Sequence, residues 1–271
     1  MNSTVLKVLA GGDLTLLGRV PTASNLTLAC RVRDGDDEFV CVYKPIRGEA
    51  PLWDFPDGDL AGREVAAYLV SDALGWDLVP ETVLRDDGPP DADLGPGMVQ
   101  RWIHEPDEPT GADPVELVPV DELTDDRLAI LRAYDEEGHL VALVHADSPQ
   151  LWRMAVFDAL VNNADRKAGH ILVDADGIVY GIDHGICLHT ENKLRTILWG
   201  WAGRPVPEDL TSDLRRLADR LADPDDTLTV RLAALITSDE IAALARRARL
   251  LGDDGVMPFP PSERAIPWPP F

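Results

Sequence analysis

The hydrophobic pattern divides the chain into an early part of short alternating segments and a later part of longer, helix-like ones. Val5–Leu9, Asp13–Val20, Leu26–Val32 and Glu38–Tyr43 read as strands. They are separated by Gly11-Gly12, by the cluster Pro21-Thr22-Ala23-Ser24-Asn25, and by the turn Arg33-Asp34-Gly35-Asp36-Asp37. This predicts an antiparallel meander that ends at Lys44-Pro45. Residues 45–61 are rich in Pro, Gly and Asp and read as a loop. Gly62–Leu74 follows as an amphipathic helix with Gly75 as its stop. Thr82–Arg85 and Gly97–Ile103 read as further strands around an acidic, Pro-rich turn, Asp86–Pro96.

The Pro- and acid-rich stretch His104–Pro119 is a candidate lobe boundary, with a β-rich half at 1–104 and a helical half at 105–271. Asp121–Glu137 reads as helical. Ser148-Pro149, an N-cap followed by proline at the first helical position, starts a helix carried by Leu151, Met154, Val156, Phe157 and Leu160. Ile171–Asp183 reads as a hairpin around Asp174-Ala175-Asp176-Gly177. Ile186–Pro205 reads as a long loop, and Glu208–Leu221 and Thr227–Ile236 as helices. Thr237-Ser238-Asp239-Glu240 caps a last helix, Ile241–Leu251, ended by Gly252. The Pro-rich tail Pro258–Phe271 is expected to be extended, with Trp268 and Phe271 packing back on the body.

Composition narrows the function classes. Hydrophobic residues make up 45% of the 271 positions, enough for a core, which excludes global disorder. The formal charge of -23 repels nucleic acid and anionic membrane surfaces, so neither is an expected partner. A polyanionic substrate would need a local basic pocket, and the plainer meaning of the acidity is solubility. Cys30, Cys41 and Cys187 form no CxxC pair, and their odd number argues against a disulfide framework. No apolar run approaches the ~20 residues of a spanning helix, and Met1–Thr4 lacks signal-peptide features. The expected location is cytoplasmic.

The candidate chemistry lies between Asn162 and Gly185. An apolar helix end runs into Asp165-Arg166-Lys167-Ala168-Gly169-His170, and the hairpin that follows leads to Asp183-His184-Gly185. A hairpin returns the chain to near its start, so Asp165 and Asp183 are expected to face one another. Two carboxylates beside a lysine and a histidine make a poor core and a suitable site for a metal-bound phosphate. Lys44 ends the apolar strand Phe39–Tyr43, and strand pattern alone favours its snorkelling to solvent over its entering a polar cleft. Glu64, in the first turn of its helix, either complements the helix dipole or pairs with Lys44.

Taken in order, Lys44, Glu64, Asn162-Asn163-Ala164-Asp165-Arg166-Lys167-x-x-His170 and Ile182-Asp183-His184-Gly185 resemble the protein-kinase-like fold. The similarity is to its atypical branch of phosphatidylinositol 3- and 4-kinase-related proteins, and within it to a small bacterial kinase-like group. It covers Lys44 to roughly Trp201. The resemblance implies an α+β, bilobal fold with an antiparallel β N-lobe and a mainly helical C-lobe, and an ATP-dependent phosphotransferase activity. It also implies roles: Asp165 at the acceptor hydroxyl, Asp183 on the metal, Lys44 on the α- and β-phosphates, and Glu64 holding Lys44. Ser24 and Asn25 would be loop donors over the phosphates. Gln100, Arg101, Trp102 and Ile103 would be the hinge that reads adenine through backbone hydrogen bonds.

Two positions depart from the family pattern. His170 stands where kinases carry the asparagine that is the second metal ligand. Imidazole suits a softer ion than Mg2+, so a Mn2+ preference or a single tightly held metal is expected. Lys167 stands where lipid kinases usually carry histidine and serine/threonine kinases a lysine for the γ-phosphate. It therefore points to a protein or small hydroxyl acceptor rather than a membrane lipid. Residues 186–204, where acceptor specificity would sit, contain Lys193, Arg195 and Arg204, which form either a phosphate site or a solvated group. Two rival readings are a pseudokinase, favoured by His170 and the lack of a Gly-x-Gly-x-x-Gly loop, and a metal-dependent phosphohydrolase built from Asp165, His170, Asp183, His184 and His189. The hydrolase is the weaker, because such enzymes place their ligands mostly on helices, and here they follow a hairpin pattern.

Overall fold

Where a first strand was expected, the chain opens with a helix, α1 (Ser3–Gly11). Val5, Val8 and Leu9 are buried together at spacings of a helix, not a strand. A computed structural model describes residues 3–21, 25–50, 52–55, 58–106, 113–262 and 265–271. Strands β1 (Asp13–Arg19), β2 (Leu28–Asp34) and β3 (Asp37–Pro45) then form the expected meander. β4 (Thr82–Arg85) and β5 (Gly97–Arg101) complete an antiparallel sheet of order β1-β2-β3-β5-β4. In its registers Lys44 lies opposite Met98, and Gln100 lies between Val42 and Thr82. Cys30 and Cys41 lie opposite one another, both buried as free thiols.

Helix α2 (Leu60–Leu74) crosses from this sheet toward the rest of the molecule. Asp59 caps it by accepting from Gly62 N–H at 2.5 Å, and Gly75 ends it in the left-handed region at φ 69°. Glu49 also accepts from Leu60 and Ala61 N–H at 2.9 and 2.8 Å, which satisfies two further orphan donors of the first turn.

The segment expected to turn helical after residue 104 does not. β6 (Val115–Pro119), β7 (Arg127–Tyr134) and β8 (Leu140–Ala146) form a second antiparallel sheet, of order β6-β8-β7. The register of β7 on β8 shifts between Ala129 and Leu131. That irregularity sets apolar Ile130 and Leu131 side by side and breaks the alternation that marks a strand.

Helix α3 (Pro149–Val161) begins as expected, with Ser148 Oγ accepting from Leu151 N–H at 3.3 Å. β9 (Ile171–Val173) and β10 (Val179–Gly181) form the expected hairpin. α4 (Glu208–Ala222), α5 (Thr227–Ala233) and α6 (Ser238–Asp254) follow. A capping box of Thr237 and Glu240 starts α6, but the helix runs through Gly252 and ends at Gly255, at φ 61°. Gly252 is buried against Arg215 and Thr211, where its missing side chain permits the close approach of α4.

Two apolar cores result. The smaller lies between α1 and the five-stranded sheet. The larger joins α3, α4, α5 and α6, and it includes most of α2. Among the described residues no helix is long and apolar enough to cross a membrane. The tail is anchored through buried Ala265 and Pro267, whereas Trp268 is 85% exposed, so the expected packing of its ring is not seen.

Candidate active site

The loop after α3 is shaped by a buried ion pair. Asp158 and Arg166 are both fully buried, and Arg166 Nη2 lies 2.9 Å from Asp158 Oδ1. Arg166 Nη1 donates to His170 O and Ile182 O, each at 3.0 Å, and Nη2 meets His184 Nε2 at 2.7 Å. Asp158 also accepts from Asn163 Nδ2 at 3.1 Å and from Thr196 Oγ at 3.2 Å. A buried charge persists only when it is paired and its hydrogen bonds are satisfied. Here one guanidinium fulfils that condition while tying the helix, the loop and the end of the hairpin together. Asn163 Oδ1 accepts Asp165 N–H at 2.9 Å, which sets the backbone of the first candidate carboxylate. Asn162 ends α3 at φ 56°, and its carboxamide binds His189 O, Glu191 O and Lys193 N–H, ordering the start of residues 186–204.

Lys44 does not snorkel. Its ammonium lies 2.6 Å from Glu64 Oε1 and 2.7 Å from Asp183 Oδ1. The Glu64 side chain is only 2% exposed, and its other oxygen accepts His184 N–H at 2.9 Å. Burial works to lower the Lys44 pKa, but Asp183 and Glu64 outweigh it and hold the ammonium above its ordinary value. Lys44 in turn holds the Asp183 carboxyl well below the usual carboxylate range. Burial raises Glu64, against the pull of Lys44. Asp183 sits two residues past β10 in the left-handed region, at φ 61°, a conformation aspartate adopts more readily than most residues.

The backbone of Asp165, not its carboxylate, meets this cluster through His170. His170 Nδ1 lies 2.9 Å from the Asp165 carbonyl oxygen, which can only accept, so Nδ1 carries a proton. Burial lowers the His170 pKa and favours the neutral ring. The neutral ring then aims an unshared pair at Asp183 Oδ2, 3.4 Å away. Two acceptors in that position repel unless a cation lies between them, and an imidazole oriented by a backbone carbonyl is a common metal ligand. These residues therefore fit a divalent ion. Lys167 lies 3.2 Å from Asp165 Oδ2, both side chains being partly exposed.

The other expected nucleotide contacts are less complete. Ser24 lies outside the described residues. Asn25 is described, and its side-chain oxygen accepts Ala50 N–H at 3.0 Å. Gln100 is buried, with its amide on Thr82 Oγ at 2.8 Å. Arg101 N–H donates to Glu81 O and Trp102 N–H to Val40 O, so those backbone donors are already engaged. Arg101 also pairs with Glu81 and lies over the Tyr180 ring, while Ile103 is buried.

The cations of residues 186–204 separate. Lys193 pairs with Asp54 at 3.2 Å, and Arg204 lies 3.7 Å from Asp147. The hydrolase ligand set is not gathered. His184 is buried with Nε2 on Arg166, and His189 Nδ1 accepts Glu191 N–H at 3.0 Å. Among the described residues the group of three ligand side chains within metal-binding distance is Asp135, Glu137 and His139, on the β7–β8 turn.

The sequence assigns no role to Asp158 or Thr196, and it offers Asn163 only as part of the family motif. Asp158 had a signal, a carboxylate inside the apolar run of α3 that only a buried cation could explain. Thr196 had none.

Comparisons with known proteins bear on the family and the fold. The family model for phosphatidylinositol 3- and 4-kinase matches residues 148–230, from the α3 cap through the hairpin to α5. Over 270 residues the chain is 53% identical to protein Rv2133c of Mycobacterium tuberculosis, covering 97% of this chain and 94% of that one. The chain belongs to the atypical, PI3/PI4-kinase-related family, in the bacterial branch that includes Rv2133c. Two solved structures show the fold of this family member. Hydra Fam20 with sugar matches at a TM-score of 0.55 and 18% identity, over 93% of this chain and 87% of that one. The Golgi casein kinase with Mn/ADP bound matches at 0.53 and 15%, over 94% and 78%. The expected α+β, kinase-like architecture is borne out.

Proposed function

We propose that this family member is an ATP-dependent phosphotransferase acting on the hydroxyl of a protein or small molecule. The observation that carries the proposal is Lys44, held between buried Glu64 and Asp183. A lysine fixed by a helix carboxylate beside a metal-competent carboxylate is the arrangement that grips a polyphosphate. In this reading residues 1–104 contribute the phosphate lysine and hinge, and 105–271 the catalytic loop and metal site. Lys44 takes the α- and β-phosphates and Glu64 keeps its side chain aimed. Asp165 orients the acceptor hydroxyl and receives its proton, and Lys167 neutralises charge on the transferring group. Asp183 and His170 would hold the divalent ion, which when bound neutralises phosphate charge. Asn25 and the backbone around Ile103 are the nucleotide contacts with groups still to offer. The Golgi casein kinase structure contains Mn and ADP, which supports the same nucleotide class and metal here. Three buried, free cysteines support a reducing, cytoplasmic setting.

The test is incubation of pure protein with γ-labelled ATP and Mn2+ or Mg2+. Label on the protein itself or an added acceptor is expected, faster with Mn2+, and lost in Asp165→Ala and Lys44→Met. Nucleotide binding without turnover would instead make the protein a pseudokinase. Phosphate release from small phosphoesters that survives Lys44→Met would make it a hydrolase. Equal rates with the two metals at saturating ATP would remove the Mn2+ preference alone.

A further inference from the structure

The turn that presents His170 is short, Ala168–His170, and has no buried residue of its own. Its own hydrogen bonds are two, His170 N–H to Lys167 O at 3.2 Å and Ile171 N–H to Ala168 O. A single 3-10 turn of this kind is weak by itself and needs outside contacts to hold one shape. On its far side Ile182 N–H and Arg166 Nη1 fix His170 O, each at 3.0 Å. On its near side the partner comes from the other end of the chain: Ala168 N–H donates to Pro270 O at 2.8 Å.

That carbonyl is delivered by an anchored segment. Ala265 O accepts Thr196 N–H at 3.0 Å and Trp199 Nε1 at 2.9 Å, and Ala265 and Pro267 are buried. Thr196 itself bridges Arg166, and Ile197 N–H donates to Arg166 O at 3.2 Å. The tail therefore lies against residues 186–204 and ends on the catalytic loop, with proline after proline limiting its freedom.

We infer that residues Ala265–Phe271 are a strap that sets the shape of the catalytic loop, with Pro270 a positioning residue for the His170–Asp183 pair. The inference rests on the metal-dependent reading proposed above. The strap touches no substrate. It acts by holding the Ala168–His170 turn so that His170 Nε2 stays aimed at Asp183.

Two changes break the contact from opposite sides. Deleting residues 270–271 removes the acceptor while leaving the Ala265 anchor. Ala168→Pro removes the donor at the first position of its turn, where proline is tolerated, after Lys167 in an extended conformation (φ -98°, ψ 167°) that suits a following proline. Binding of Mn2+ in the presence of ADP, followed by the electron paramagnetic resonance of free Mn2+, is expected to weaken about fivefold in each, the scale of one backbone hydrogen bond. The combined variant should be no worse than either one, because both remove the same contact. Trp268→Ala, at a ring that is 85% exposed, should bind like the wild type. Unchanged Mn2+ binding in Ala168→Pro, alongside loss in Asp183→Asn, would overturn the strap and leave the metal site standing. No Mn2+ binding by the wild type would overturn both. A lower melting temperature with Mn2+ affinity intact would reduce the tail to a structural clasp and refute the inference.

Discussion

Replacing Lys44 with methionine tests the centre of the site with a stability measurement independent of any substrate. The change keeps the length of the side chain and removes its charge from two carboxylates. Asp183 is 47% exposed along its side chain and can rehydrate, so it contributes little to the cost. Glu64 is 2% exposed and cannot, though His184 N–H still donates to it. Breaking a buried ion pair by removing one partner costs ~3–5 kcal/mol, and with Lys44 itself 22% exposed the lower end, about 3 kcal/mol, is expected. Lys44→Met/Glu64→Gln should recover most of that loss, because no uncompensated charge then remains buried. Urea unfolding at pH 7, followed by tryptophan fluorescence, measures all members of the cycle. Phosphotransfer should be absent from both Lys44 variants, so stability returns without activity. If the single effects add to within ~0.5 kcal/mol, the two residues are not bonded in solution and the reasoning fails.

Two further predictions concern buried polar groups. His145 is buried, with Nδ1 on Ala146 O at 3.0 Å and Nε2 accepting Gly200 N–H at 3.1 Å, so a second ring proton would face a donor. Burial pushes its pKa down to about 4. The unfolded chain therefore binds the proton first, and stability is full above pH 6.5, falls by about 3 kcal/mol toward pH 4, and levels below it. His145→Gln should flatten that slope in urea titrations, and an unchanged slope would refute the assignment. Arg166→Met, which strands Asp158 and uncaps two carbonyls, should cost more than about 4 kcal/mol and yield little folded protein. A variant that melted like the wild type would show that the buried pair is not the organiser of the loop.

The elements legible in the sequence are those whose cause is local. Ser148-Pro149 starts α3, Thr237 and Glu240 start α6, Gly75 stops α2, and Asp174–Gly177 turns the hairpin, each through contacts within a few residues. The ordered motif from Lys44 to Gly185 was legible for a related reason, since its residue types are fixed by chemistry and not by packing. Errors arose where period or length was ambiguous. Val5–Leu9 is too short for a run of apolar residues to separate helix from strand, and the register shift in β7 disguised a strand as something less regular.

What the sequence by itself determined was the set of groups that phosphate chemistry requires, and the turns that set them along the chain. It did not determine which groups meet. Strand pattern favoured solvent for Lys44, and only the packing of α2 against the larger core brings Glu64 beneath it. Nothing near Ala168 announced that its partner would be Pro270, and the carboxylate in the apolar run of α3 announced a buried partner for Asp158 without identifying Arg166 and Thr196. Capping and turn energies are decided within a few residues, so a linear reading captures them. A contact between distant residues forms only when the whole chain has met the entropic cost of bringing them together, and that is settled by the tertiary structure.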